Sequence, residues 1–218
     1  MLLIDTCGSE GSVALASQSE IVASETLPGR SASERLVAVV RGMVHTQGWK
    51  LRELAAIVVV HGPGSFTGVR VGLSAAKGLS EASEVPVVAV SRLAVLAAAA
   101  GEVEGEGEVC AVLDAGREEF YCGVYVGQRC VREALMTEAE VREVAAGCEA
   151  VVVCEVKVAE TLRELEPRLV GEPVAGDALP FAVKRVVAGE FDDVATLDAN
   201  YLRRSDSLFA KPKGEPAR

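Results

Sequence analysis

The chain has 218 residues, half of them hydrophobic, with 22 Lys and Arg against 32 Asp and Glu for a formal net charge of −10. That apolar share supports a buried core in one compact unit or two small lobes and excludes an intrinsically disordered chain. The acidic balance argues against a protein that grips a phosphate backbone by itself, because non-specific nucleic-acid affinity comes from basic clusters that release counterions.

Met1 to Gly8 carry no basic leader and place Asp5 inside the early apolar run, so no secretory signal is expected and a cytoplasmic location is. Leu2–Asp5 and 12–16 read as short strands about a polar, Gly-containing turn, and Glu20–Leu27 offers a third. A helix is predicted over 32–47: Ser31-Ala-Ser-Glu34 has capping-box spacing, Leu36, Val40, Met43 and Val44 share a face, and Gly48 suits a left-handed end. The runs 56–60 and 86–90 read as strands buried on both faces. Helices should follow each, over 67–83 and from the N-cap Ser91 to Gly101. The longest apolar stretch, 93–100, falls short of the roughly 20 residues a membrane-spanning helix needs, so no membrane span is expected.

Residues 102–108, EVEGEGE, read as a hinge, and the pattern then begins again. A strand over 109–113 ends at Asp114, Glu119–Val126 and 129–136 pair about Gly127-Gln128, and Thr137-Glu-Ala-Glu140 opens a helix that stops at Gly147. A strand over 150–156, a helix over 158–166, and a last helix between Asp177 and Gly189 complete it. Both halves read strand, strand, strand, helix, strand, helix, and each opens on a strand that ends in an aspartate. Domains are therefore expected over 1–103 and 108–200, with a tail over 201–218 whose Arg203, Arg204, Lys211, Lys213 and Arg218 read as a solvated end. The layout resembles the two ribonuclease-H-like lobes of the actin, sugar-kinase and heat-shock-chaperone ATPase superfamily. In that group the two aspartate-bearing strand ends face each other across a nucleotide cleft. The six cysteines, Cys7, Cys110, Cys122, Cys130, Cys148 and Cys154, form no Cys-x-x-Cys pair and have no His at metal spacing, so buried reduced thiols and no metal are expected.

The stretch His61-Gly-Pro-Gly-Ser-Phe-Thr-Gly-Val-Arg70 reads as a strand, a tight turn and a helix. Pro63-Gly64 suits a type II turn and Ser65 or Thr67 a helix cap. It lacks the Gly-Lys-Ser/Thr of a Walker A loop, and Thr67 stands at the last glycine of a Gly-x-Gly-x-x-Gly fingerprint. Gly68, Gly72 and Ala76 recur every fourth residue, and Ser80 continues the row. Two glycines in one helix need a compensating close approach, within the lobe or against another subunit. The second arrangement is the one expected.

Gly62-Pro-Gly-Ser-Phe-Thr-Gly-Val-Arg70 with Lys77-Gly78-Leu79, Ile4-Asp-Thr6 with Ser12-Val-Ala-Leu15, Asp114-Ala115 with Glu119, Tyr121 and Tyr125, and Tyr201-Leu-Arg203 together resemble the TsaB/YeaZ family. The resemblance covers most of the chain in order. It implies a non-catalytic partner of a TsaD-type catalytic subunit, working with a TsaE-type ATPase in threonylcarbamoyl transfer to the adenosine next to the tRNA anticodon. It further implies a homodimer when alone, contact with tRNA only through the complex, and ATP or ADP bound at most weakly at the complex interface, with no cofactor of its own. The first two helices supply the subunit face, here Leu36, Val40, Val44, Gly64, Ser65, Phe66, Thr67, Gly68, Arg70, Gly72 and Ala76. Asp5, Thr6 and Asp114 mark a vestigial nucleotide cleft. The chain departs from the family at Ala32, where a histidine is frequent, and at Gly116, where an arginine is usual and Arg117 follows one place later.

An enzyme in its own right fits less well. His45 and His61 form no His-Glu-x-x-His helix, and no Gly-x-Ser-x-Gly elbow surrounds Ser65. The alternative is an independent nucleotide-binding ATPase or kinase of the same superfamily. Thr6 and Cys7 weaken it, standing where such enzymes usually carry a phosphate-loop glycine.

Overall fold

The computed structural model describes residues 1–28, 31–101 and 107–203. The first half contains β1 (Leu2–Asp5), β2 (Gly11–Ser17), β3 (Glu20–Leu27), α1 (Ala32–Thr46), β4 (Ile57–Val60), α2 (Phe66–Ser83), β5 (Val87–Val90) and α3 (Arg92–Ala98). Its sheet runs β3-β2-β1-β4-β5, antiparallel on the β1–β2–β3 side and parallel on the β1–β4–β5 side. The continuous Val and Ile runs of β4 and β5 follow from this placement, since parallel strands with helices over them bury both faces.

The second half repeats the plan with β6 (Glu108–Gly116), β7 (Glu119–Val126), β8 (Arg129–Thr137), α4 (Glu138–Ala145), β9 (Ala150–Val153), α5 (Val156–Thr161), β10 (Arg168–Leu169) and α6 (Leu179–Ala188). Its order is β10-β9-β6-β7-β8, so β6 occupies the place of β1. The α/β fold of two similar lobes stands as the alternation of elements predicted. Thr137 and Glu140 make the expected capping box. Ser31 does not cap α1, and the 158–166 helix is instead α5 followed by a 3-10 turn at Arg163–Leu165. The two-residue β10 was too short to give a periodic signal.

α3 joins the lobes. Arg92 to Ala97 are all buried, because the helix packs on β6 and β7 while belonging to the chain of the first sheet. A helix apolar all round is what such a sandwiched position requires. Glu133 adds a polar tie: its carboxylate accepts from Ser91 Oγ at 2.5 Å, from the Tyr125 hydroxyl, and from Asn200 Nδ2 at 2.6 Å. The last segment corrects the expected 108–200 domain. α6 packs against β5 of the first sheet, and Asp192 accepts from Ala89 N at 2.7 Å and Arg185 Nη1 at 3.0 Å. The hinge expected at 102–108 lies outside the described residues over 102–106, as does the tail over 204–218. Arg203, expected in a solvated end, bridges Glu119 at 2.5 Å and donates to Ala115 O at 3.2 Å. Cys130 is exposed rather than buried, and all six thiols are free.

The small-residue stripe of α2 is also corrected: it packs inside its own lobe. A Cβ on Gly68 would overlap the Thr6 carbonyl oxygen, and one on Gly72 would stand 2.5 Å from Thr6 Oγ1. Ala76 is fully buried, and Leu36, Val40 and Val44 of α1 also face the core. The close approach that two helical glycines demand is therefore made to the end of β1. Gly78, on the same helix, has open space around it. Gly68→Ala and Gly72→Leu are expected to lower stability by about 1–3 kcal/mol through overpacking, despite their better helix propensity. Gly78→Ala should raise it by roughly 0.5–1 kcal/mol. Urea denaturation of the three variants reads both signs.

Candidate functional site

The turn after β1 gathers the site. Cys7 N donates to Asp5 Oδ1 at 2.7 Å, Thr6 Oγ1 donates to Gly68 O at 2.6 Å, and Cys7 Sγ reaches Val60 O at 3.1 Å. The Cys7 carbonyl accepts from Ser65 N at 2.8 Å and from Arg92 Nη1 at 3.1 Å. Ser65 in turn caps α2 by accepting from Gly68 N at 3.3 Å. The Gly62–Pro63 peptide is cis, where the sequence suggests a type II turn.

Asp5 is 2% exposed, and its Oδ2 has no hydrogen-bond partner among the described residues. Burial raises its carboxyl above the ordinary value, against the pull of the Arg92 guanidinium. Arg92, 4% exposed, donates through Nη2 to Glu172 Oε1 at 2.7 Å. Burial works against the charge of Glu172, but hydrogen bonds from Ser9 and Arg92 outweigh it and hold this carboxyl below its usual range. On the second lobe, Asp114 accepts from Gly116 N at 2.8 Å and from Lys157 Nζ at 3.0 Å, and its own N–H donates to Glu155 Oε2 at 2.8 Å. Burial disfavours the Asp114 charge, yet the Gly116 and Lys157 contacts prevail and lower its pKa. Glu155 is raised, chiefly by burial. Between the lobes lies a cavity of about 410 Å³ lined by Cys7, Ser9, Arg92, Asp114, Glu155 and Glu172, among others.

The structure thus sets Asp114 on the wall of this cleft and Thr6 and Asp5 in the turn beside it. Arg92, Glu155 and Glu172 were not foreseen. Arg92 left one signal, a single charge opening the otherwise apolar 93–100 run. Nothing local marks Glu172, which reaches the loop after β1 from 163 residues away in sequence.

The expected subunit face divides. Leu36, Val40, Val44, Gly72 and Ala76 turn inward, and Gly64 and Gly68 are half-buried. Ser65, Phe66, Thr67 and Arg70 are exposed, Phe66 to 64%. Beside them Val37, 53% exposed, comes from α1. A groove of about 490 Å³ runs between the two helices past Val37, Phe66, Thr67, Arg70 and Val71. The Arg70 guanidinium sits 3.3 Å above the Phe66 ring and 5.4 Å from the centroid of Tyr201.

Two lobes of this topology, with a cleft between them, define a member of the actin and sugar-kinase fold class. The Arthrobacter inorganic polyphosphate/ATP-glucomannokinase shares the fold at TM-score 0.51 and 14% identity, covering 87% of this chain and 98% of that one. A family model described as "TsaD: tRNA N6-adenosine threonylcarbamoyltransferase" matches residues 19–154. A Pseudomonas aeruginosa structure, described as an uncharacterized protein with similarity to peptidase YEAZ, superposes at TM-score 0.75 and 30% identity over 93% of this chain and 98% of that one. The tRNA threonylcarbamoyladenosine biosynthesis protein TsaB of Escherichia coli (strain K12) is 36% identical over 125 residues, 57% of this chain. That alignment covers 54% of the relative, so the chain spans about half the length of the curated relatives it matches. The chain belongs to the TsaB/YeaZ family. Among the described residues no helix is long and apolar enough to cross a membrane.

Arg92 and Asp5 form the buried charge centre. Arg92→Met is expected to cost about 3–5 kcal/mol by leaving Asp5 uncompensated, and Asp5→Asn should restore part of that loss. A carboxyl with a raised folded pKa is favourable below its unfolded value, here 3.8, and loses that contribution as pH rises through the folded value. Arg92→Met should therefore lose stability relative to Arg92→Met/Asp5→Asn as pH climbs from 3.8. Lys157→Ala, which removes an exposed pair, should change stability by less than about 1 kcal/mol.

Proposed function

We propose that this chain is a non-catalytic partner subunit in the synthesis of threonylcarbamoyladenosine in tRNA. It pairs with a TsaD-type catalytic subunit and works alongside a TsaE-type ATPase. The observation that carries this reading is the exposed Val37, Phe66 and Arg70 face of α1 and α2 in a member of the TsaB/YeaZ family. An aromatic ring 64% exposed, with an arginine stacked on it, has the composition of an interface anchor. The cleft supports the same reading from the other side: Asp114 is paired with Lys157 and Arg92 with Glu172, so its charges are engaged within the chain. The same helical face serves a homodimer when the catalytic subunit is absent. An acidic chain leaves the tRNA to its partners, in a complex placed in the cytoplasm.

Co-expression with the TsaD homologue of the same genome tests the pairing. Val37→Asp and Phe66→Ala are expected to weaken capture at least roughly tenfold while shifting stability by no more than about 0.5 kcal/mol, since both positions are exposed. Capture at the level of the unaltered chain would place the interface elsewhere.

The rival reading, an independent ATPase or kinase, rests on the fold class alone. Calorimetric titration separates the two. ATP is expected to bind no tighter than about the millimolar range, roughly 4 kcal/mol, without phosphate release. Micromolar binding with turnover abolished by Asp5→Ala would establish the enzyme instead.

A further inference from the structure

Glu172 has three donors converging on one carboxylate. Its Oε1 accepts from Ser9 N at 2.8 Å and Arg92 Nη2 at 2.7 Å, and its Oε2 accepts from Ser9 Oγ at 2.6 Å. A backbone N–H, a hydroxyl and a guanidinium aimed at one point are what an oxyanion requires of a protein. The loop is shaped for close approach as well, because a Cβ on Gly8 would overlap Glu172 Oε1.

The donors and the acceptor differ in how firmly they are fixed. The Arg92 side chain is 5% exposed, tied to the Cys7 carbonyl, and keeps a buried Nε with no partner among the described residues. The guanidinium is thus permanent and has donor capacity left over. The Glu172 side chain is 39% exposed and lies on coil after β10, at the rim of the 410 Å³ cavity. Nearby carboxyls oppose a second anion less than their number suggests: Asp114 is paired with Lys157, and burial pushes Asp5 and Glu155 toward their neutral forms.

We infer that Glu172 is the built-in occupant of an oxyanion site made by Ser9 and Arg92, and that withdrawing its carboxylate opens this site to a phosphoryl group. The inference is independent of the partner-docking face. Loss of Glu172 exchanges an intramolecular anion, present at high effective concentration, for one drawn from solution.

Inorganic phosphate, pyrophosphate and ATP are the probes, each titrated into the full chain by calorimetry and by thermal unfolding, against sodium chloride at equal ionic strength. The unaltered chain should show no saturable phosphate binding. Glu172→Ala should acquire it, at least roughly tenfold tighter than the unaltered chain, with a melting temperature that phosphate raises and chloride does not. Adding Ser9→Ala, which removes the hydroxyl donor, should weaken that binding again by several-fold. Glu172→Gln keeps the bulk without the charge and should show the same gain in smaller measure, which covers the case of an unstable alanine variant. Tighter binding of ATP than of pyrophosphate would assign the anion to a nucleotide tail; equal binding would assign a free phosphate. Glu172 variants that fold but bind phosphate no better than the unaltered chain, or whose binding ignores the Ser9 hydroxyl, would overturn the inference and leave Glu172 as a brace between segments.

Discussion

The carbonyl oxygens of Thr6 and Cys7 are the constraint on which the rest of the molecule is hung. Gly68 packs on the first, Ser65 N and Arg92 Nη1 donate to the second, and a Cβ on Gly64 would overlap it. Two helices and the turn between β4 and α2 are thereby seated on two residues just past the end of one short strand. A buried carbonyl must find donors, and the two that reach Cys7 O arrive at the heads of different helices, Ser65 at α2 and Arg92 at α3. The arrangement explains why α2 carries glycine at Gly68 and Gly72, where the helix meets backbone, and can carry bulk at Phe66 and Arg70, where it does not.

The lobes are held by two kinds of contact. α3 supplies an apolar bridge, buried from Arg92 to Ala97 between the sheets. Carboxylates supply polar ties: Glu133 gathers Ser91, Tyr125 and Asn200, and Glu172 gathers Ser9 and Arg92. An acidic chain can thus turn part of its surplus charge inward, where each carboxylate accepts several hydrogen bonds and organises segments distant in sequence. Buried or half-buried charge of this kind is specific rather than strongly stabilising, because desolvation offsets much of the attraction.

Site chemistry and exposed surface point in different directions, and the proposed subunit role follows from that contrast. In the cleft, Arg92 is paired with Glu172 and Asp114 with Lys157. On the α1–α2 face, apolar and aromatic area stands in solvent beside a stacked arginine. A catalytic centre needs poised, incompletely satisfied groups, whereas a docking face needs desolvatable area with a few anchors. Among the described residues Asp5 and Arg92 keep one unpartnered buried atom each, both sealed from solvent.

Sequence alone determined the order and type of most elements, because periodicity and punctuation are local. The Val and Ile runs of β4 and β5, the alternation about Gly127, and the Thr137 capping box needed only their neighbours to be read. Asp5 and Asp114 were legible as aspartates at or near the ends of equivalent strands, and the motif from Gly62 to Arg70, together with those about Asp5, Asp114 and Tyr201, carried the family. Tertiary structure alone decided which way the glycine stripe faced, since an every-fourth-residue row describes one side of a helix without saying what lies against it. It also decided that α6 returns to the first sheet and that Glu172 reaches Ser9. Such contacts join residues far apart in the chain, and no local pattern encodes the loop closure that brings them together.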